Sequence, residues 1–436
     1  MRRHPSIDTR DARRRARRRK RNAALGTVAA LTLAIGVVPL TLRGHTGALA
    51  TPPLPDTESQ SLPPLPATPV RFPLGAWQAQ HDVPGGIEGF AGRVSALPGD
   101  SVAVYVRTHA TRYTAFVYRM GYYHGVGARL MATDKNLIGT LQPPCNVESR
   151  GMIECRWRKS FMLHVPLTWP SGVYLIKLSA SDGSGSFVPL VIREAIPAAP
   201  ILFQVSVTTW QAYDTFGGRD LYQGPCPPRL LPSPSETAKP TLTPSPSPTV
   251  SPSVSVSPSP SASILKIGFT QKTRAQPLDE GRGCAFDGRS RAVSFDRPYQ
   301  WPGSGQFLRF EYPMLYWLES RGYHVAYATD IDLHEGLDSL SSRKVFIAAG
   351  HDEYYSLQMR RALEGALAQG TDLIFMGADD IYRHIRFESS PLGPDRVIVN
   401  YKIAGEDPLS ATDPLESTGQ WREWPTGDPE QQLLGA

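Results

Sequence analysis

Between residues 86 and 195 apolar and polar side chains alternate over short runs: Ser101–Arg107, Thr114–Arg119, Phe161–Val165, Gly172–Ala180 and Ser186–Ile192. Turn-forming clusters such as Pro98-Gly99-Asp100 and Asp182-Gly183-Ser184-Gly185 separate them. Short segments with a period of two and no helical period between them predict a β-sandwich. Beyond residue 200 the pattern changes. Ile201–Val205, His324–Ala328, Lys344–Ala349 and Leu373–Met376 are apolar runs of the kind found in strands covered on both faces. Two helical patterns lie among them. Phe307–Arg321 repeats Phe310, Met314, Trp317 and Leu318, and Ser356–Gln369 turns Met359, Leu363, Ala366 and Leu367 inward. Strands alternating with helices predict a doubly wound parallel α/β sheet, so the expected architecture is a two-domain one, with a sandwich over 86–195 and an α/β domain over 200–436.

Aromatic positions allow two readings in the first domain. Tyr118, Tyr122, Tyr123 and Trp169 form either a sugar- or partner-binding face or the core and corners of the sandwich, and half-buried strand positions favour the second. Arg119–Tyr123 ends a strand in a glycine turn aimed at a neighbouring surface.

Three segments stand outside both domains. Ala23–Leu42 is an apolar run without a charge, close to the roughly 20 residues that cross a bilayer. It predicts an export signal, either a retained anchor or a peptide removed after Ala50 in the small-x-small stretch Ala48-Leu49-Ala50. Residues 43–85 read as a Pro-rich spacer, and about 231–264, nearly all Ser, Pro, Thr and Val, as a disordered insert in the α/β domain.

Charge changes the picture less than its total suggests. The formal net charge is +6, but residues 1–22 hold 11 of the 46 Lys and Arg against two of the 40 acidic residues. The remainder carries 35 basic and 38 acidic side chains, a net of −3. A nucleic-acid reading loses its support, and the basic segment becomes the cytoplasmic flank of the apolar run. Everything after Leu42 is then expected outside the cell membrane, tethered or secreted. There the four cysteines are expected to pair, as Cys145 with Cys155 and Cys226 with Cys284 across the base of the insert.

Candidate chemistry gathers where the α/β strands end. Tyr213 and Asp214 follow the first strand, His351 to Tyr355 the third, and Asp379, Asp380 and Tyr382 the next, with Tyr299 a further candidate after Ser294–Pro298. Open parallel sheets place ligands outside the carboxyl ends of their strands. Phenols and carboxylates without a thiolate make a hard, oxygen-rich site suited to a trivalent or hard divalent cation. Neither GxGxxG nor GxxxxGK[ST] is present, and no GxSxG ends a strand. A glycosidase pair among Asp352, Glu353, Asp379 and Asp380 would need carboxyls about 5–10 Å apart.

The runs TTWQAYDTFGG, VSFDRPY, WLESRGYHVAYATDIDL, AAGHDEYYS and FMGADDIYRHIR, preceded by RMGYYHGVGARLM and WPSGVYLIKL, resemble the large (β) subunit of N,N-dimethylformamidase and its relatives over about 86–436. The resemblance implies a sandwich followed by a glutamine-amidotransferase-like α/β domain, and hydrolysis of the C–N bond of a small amide. It also implies a mononuclear Fe(III) held by two tyrosines and one glutamate. Motif by motif these are Tyr213, Tyr299 and Glu353, with Tyr222 in reserve for the second tyrosine, and with His351 and Asp379 as catalytic groups beside them. Partners implied are the amide, the membrane through the N-terminal segment, and a second copy or a small subunit. Two departures stand out. Where the family reads GAN this chain reads Gly377-Ala378-Asp379, and relatives continue beyond the motif at Pro429–Gly435. They keep a second reading open, a non-catalytic cell-surface binding protein with a degenerate catalytic domain.

Overall fold

The computed structural model describes residues 77, 83–225, 284–337 and 340–435. The expected membrane segment, the spacer up to residue 76, the insert and Cys226 lie outside the described residues. Among the described residues no helix is long and apolar enough to cross a membrane. The described chain is rich in β structure, with several sheets and few helices.

Ten strands build the first half: β1 Ile87–Ala91, β2 Ser95–Ala96, β3 Ser101–Thr108, β4 Arg112–Met120, β5 Ala128–Ile138, β6 Asn146–Val147, β7 Ile153–Glu154, β8 Phe161–His164, β9 Gly172–Ala180 and β10 Gly185–Ile192. A three-stranded sheet, β1-β3-β8, faces a five-stranded one, β2-β10-β9-β4-β5. The alternation read from the sequence closes the space between them, as Val102, Val104 and Val106 from β3 meet Ala115, Val117, Ile176, Leu178, Val188 and Leu190. β6 and β7 form a small ladder closed by the Cys145–Cys155 disulfide, the first of the two expected pairs.

The five-stranded sheet is buried on its other face as well. Tyr118, Met120, Val173, Leu175 and Phe187 belong to a second apolar cluster shared with the rest of the chain. Two covered faces are why β9 reads as an almost unbroken apolar run. The aromatic positions weighed above follow suit: Trp169 stacks on Tyr174 at 5.0 Å and Tyr122 meets Tyr316 edge-on at 5.2 Å. Arg119–Tyr123 reaches the surface it was expected to face, where Arg119 pairs with Glu319 at 2.8 Å and the Tyr122 N–H donates to the same carboxylate at 3.0 Å. Gly121 permits this approach, because a Cβ there would fall 2.1 Å from a Glu319 oxygen.

The second half contains β11 Ile201–Val205, α1 Val207–Ala212, α2 Cys284–Asp287, β12 Ala292–Ser294, α3 Phe307–Phe310, α4 Tyr312–Ser320, β13 Val325–Thr329, α5 Asp330–His334, β14 Val345–Gly350, β15 Tyr354–Ser356, α6 Leu357–Ala368, β16 Asp372–Gly377, β17 Arg383–Ser390, β18 Gly393–Val399, β19 Gly419–Gln420 and α7 Gln431–Leu434. β13-β11-β14-β16 form a parallel sheet. Alternate residues of its inner strands bury on opposite faces. Phe203, Tyr327, Ile347 and Ala349 pack with α4 and the sandwich, whereas Leu202, Ala326, Phe346 and Ala348 pack with Met359, Leu363 and Ala366 of α6. A further sheet, β12-β18-β17-β15 with β19 on β17, lies beyond the strand ends.

Two expectations need correction here. The helix expected over Phe307–Arg321 breaks at Glu311, whose side chain is drawn inward to Trp210, and Pro313 lacks the amide that would tie the next turn back. Trp317 and Leu367, expected inward, are 38% and 47% exposed. Each sits at the margin of its helix's apolar stripe.

Candidate functional site

The turn between β14 and β15 carries the sequence Gly350-His351-Asp352-Glu353. Gly350 adopts φ +92°, and a Cβ there would lie 2.5 Å from that of Phe310, so only glycine lets the strand end turn against α3. The turn is then pinned from both sides. Glu353 N–H donates to Thr209 Oγ1 of α1 at 3.0 Å, and its carbonyl accepts from Arg383 N–H of β17 at 2.8 Å.

Two phenols meet the Glu353 carboxylate. The Tyr213 hydroxyl lies 2.6 Å from Oε2, the Tyr222 hydroxyl 2.6 Å from Oε1, and the two phenol oxygens are 2.8 Å apart. Tyr213 closes α1, placed there by the helix itself. Tyr222 is set by a local turn in which the Asp220 carboxylate accepts from the Tyr222 and Gln223 amides at 2.6 and 2.7 Å. The rings stack at 4.4 Å. His351 Nε2 stands 3.4 Å from Glu353 Oε2, and its ring lies 4.9 Å from that of Tyr213.

Two basic side chains complete the cluster. Arg383 Nε is 3.3 Å from Glu353 Oε1. Lys402 Nζ sits 3.3 Å above the Tyr222 ring and donates to the Tyr354 hydroxyl. Burial would raise the Glu353 carboxyl, but the hydrogen bond from His351, the Lys402 charge and the two phenols outweigh it and hold the group at about 2. Burial and the Glu353 charge push the Tyr213 phenol far up, and burial, Tyr354 and Glu353 do the same to Tyr222. Lys402 is driven well down by burial, against the pull of Glu353. Without a metal, then, both phenols keep their protons and donate them to an ionised glutamate.

The residues singled out from sequence divide. Tyr213, Glu353 and His351 come together. Tyr299 does not join them: its ring packs edge-on against Trp210 at 6.0 Å and lines a small cavity with Phe295 and Arg297. Tyr222, the reserve, occupies the place expected of Tyr299. Asp379 lies exposed on the turn after β16 with φ +58°, at the same sheet edge as His351 but in no contact with Glu353. Its neighbour Asp380 is buried and is pushed up to about 6 by burial. Arg383 and Lys402 were missed. A lysine three residues after the apolar run Val397–Val399 was the available signal.

The site's donors suit a hard cation. The phenol and carboxylate oxygens approach one another as closely as ligands on one metal do, and replacing two shared protons with a trivalent ion leaves every oxygen occupied. Among the described residues no three His, Cys, Asp or Glu side chains assemble into a metal site on their own. Any metal here must therefore use the phenols.

The family model described as N,N-dimethylformamidase beta subunit-like, C-terminal, matches residues 114–253 and 272–436. No curated protein matches. Among solved structures, a mutant of Salmonella alpha-2-macroglobulin shares 14% identity over 27% of this chain and 7% of that one, with a TM-score of 0.16. A structure of the bacterial superantigen toxic shock syndrome toxin-1 shares 20% over 25% and 99%, also with a TM-score of 0.16. A Paenibacillus cycloisomaltooligosaccharide glucanotransferase shares 14% over 27% and 15%, with a TM-score of 0.14. Overlaps this small carry no argument about fold or function.

Proposed function

The chain belongs to the N,N-dimethylformamidase beta subunit-like family, and from that membership we propose that it is an exported, iron-dependent hydrolase cutting the C–N bond of a small amide. The observation that carries this reading is the approach of two phenol hydroxyls to the two oxygens of Glu353, at 2.6 Å each. Tyr213, Tyr222 and Glu353 are the proposed iron ligands. Bound there, Fe(III) would supply Lewis acidity, polarising an amide carbonyl and acidifying a water.

The chain's own groups do the rest. Arg383 brings a positive charge against that of Glu353, and the Lys402 amine over the Tyr222 ring adds a donor, which together favour the charge two phenols acquire on losing their protons. His351, with Nε2 at 3.4 Å from Glu353 Oε2, is the group placed to pass a proton between water and a leaving amine. Asp379, exposed at the same sheet edge as His351, would favour substrates with an N–H to donate. The parallel sheet, covered on both faces, supports the doubly wound, amidotransferase-like reading and the division at about residues 195–200. The Cys145–Cys155 bond supports an oxidising compartment and hence export.

The test is spectroscopic and kinetic. The purified full-length chain is expected to contain stoichiometric iron, to show a visible tyrosinate-to-iron absorption, and to release amine from small formamides and acetamides. A colourless protein that neither binds added Fe(III) nor hydrolyses any such amide overturns the proposal. The binding-protein reading would then stand.

A further inference from the structure

Where the sandwich meets the α/β half, the chain leaves a cleft of about 280 Å³ whose lining includes none of Tyr213, Tyr222, His351 and Glu353. Residues 92–95 and Arg193 wall it from the sandwich, and α5, the residues just after it and the start of β18 wall it from the other side. Small-molecule clefts favour such junctions and hold roughly 300–1,000 Å³. This one lies at the small end of that range.

Its charged lining divides by burial. The buried members are settled, since Arg193 pairs with Asp332 at 3.0 Å and Arg396 with Asp296 at 2.5 Å. The outer members are not. Among the described residues Arg93 meets only Asp100, at 3.4 Å with both side chains exposed, a contact worth little in water. The Glu335 side chain has neither a hydrogen bond nor an ion pair there, only the fields of its neighbours. Asp395 faces His334 Nε2 at 3.7 Å, beyond hydrogen-bond length. Burial lowers His334, whose Nδ1 already meets Ser356 Oγ at 2.8 Å, so the ring does not cancel the Asp395 charge. These charges stand close together. Burial raises Glu335, Asp332 and Asp395 add to the rise, and Arg193 and Arg93 oppose it. Leu337 and Leu392, 49% and 36% exposed, add bare apolar surface to the same lining.

We propose that this cleft binds a small zwitterion with an apolar body, of the α-amino acid class, with its ammonium at Glu335 and Asp395, its carboxylate on Arg93 and its side chain against Leu337 and Leu392. An ammonium offers three donors, which two carboxylates can share, and the planar fork of an arginine matches a carboxylate. A simple cation would leave Arg93 unused. A simple anion would meet two acids. The inference depends neither on iron nor on amide hydrolysis.

Calorimetric titration of the full-length protein with L-leucine tests it, alongside leucinamide, which lacks the carboxylate, and 4-methylpentanoate, which lacks the ammonium. Leucine is expected to bind once per chain and to raise the melting temperature, with each analogue on the order of tenfold weaker or more. Glu335→Gln, Asp395→Asn and Arg93→Gln should each weaken leucine binding by a similar factor, and their melting temperatures without ligand report that they fold. Glu353→Gln should bind leucine like wild type, which separates the cleft from the proposed catalytic site. A protein that binds no leucine at millimolar concentration overturns the proposal. So does leucinamide binding as tightly as leucine, or a Glu335→Gln chain that binds leucine like wild type.

Discussion

Asp352 and Glu353 are consecutive, both buried, both carboxylic acids, and the protein holds them at opposite ends of the carboxylate range. Glu353 is kept at about 2 by His351, Lys402 and two phenols that overcome its burial. Asp352 is pushed up to about 7, chiefly by burial. Consecutive residues of an extended chain point to opposite sides. One reaches two phenol donors and the basic side chains Arg383 and Lys402, whereas the other accepts from Gln204, Tyr355 and Ser206 but meets the Asp380 charge and no basic group. The difference teaches that burial alone does not set a carboxyl's state here. The charges beside it do.

The comparison breaks most visibly if Glu353 is neutralised. Glu353→Gln should abolish iron retention and lower amide turnover on the order of a thousandfold, read from metal content and kcat/KM. Tyr222→Phe should lose the visible absorption, while Tyr299→Phe should keep it and cost only packing against Trp210. Retained colour in Tyr222→Phe with loss in Tyr299→Phe would reverse the assignment of the second tyrosine.

Acid and base titrations of stability then sharpen the contrast, measured by urea unfolding in chelator. Glu353 is depressed from its ordinary 4.5, so its contribution is present above that pH and lost as pH falls through 2. Linkage puts it at about 3 kcal/mol. Asp352 is raised from 3.8, so its contribution is present at low pH and lost as pH rises through 7. Glu353→Gln should flatten the limb between about pH 4.5 and 2, and Asp352→Asn the limb between about pH 3.8 and 7.

A smaller effect is expected from Lys402→Met, which removes the amine over the Tyr222 ring and leaves every proposed ligand in place. Iron affinity should fall roughly 10–100-fold, measurable by competition with a chelator. The smallest concerns the helix caps. Ser356→Ala should cost about 1 kcal/mol of stability, whereas Ser206→Ala should cost nothing through capping, since that hydroxyl turns to Asp352 instead of the helix.

Much of this architecture was legible in residue patterns, and particular residues show where legibility ended. β3, β4, β8, β9 and β10 were bounded to within a few residues because alternation records which face is buried. β5 was missed because an edge strand reading Ala128–Ile138 is largely exposed and its polar residues give no alternation. Glu353 and Tyr213 could be matched to motifs next to strand ends. The choice between Tyr299 and Tyr222 could not be made, because Tyr222 precedes the insert and meets Glu353 through the Asp220 turn, a contact invisible in spacing. Tyr299 was the plausible choice by sequence, and tertiary packing against Trp210 took it elsewhere. Lys402 arrives from a sheet that no short-range pattern connects to the Glu353 turn.

The five-stranded sheet of the sandwich, apolar on both faces, has a consequence for how such a protein can evolve. A module that travels freely between genes needs a polar outer surface where its neighbour used to be. Here excision would bare Tyr118, Met120, Val173, Leu175 and Phe187 and strand the Arg119–Glu319 pair. Neither half is a portable cassette. Recombination across the boundary would be selected against, so the two halves are expected to share one ancestry and to diversify as a unit.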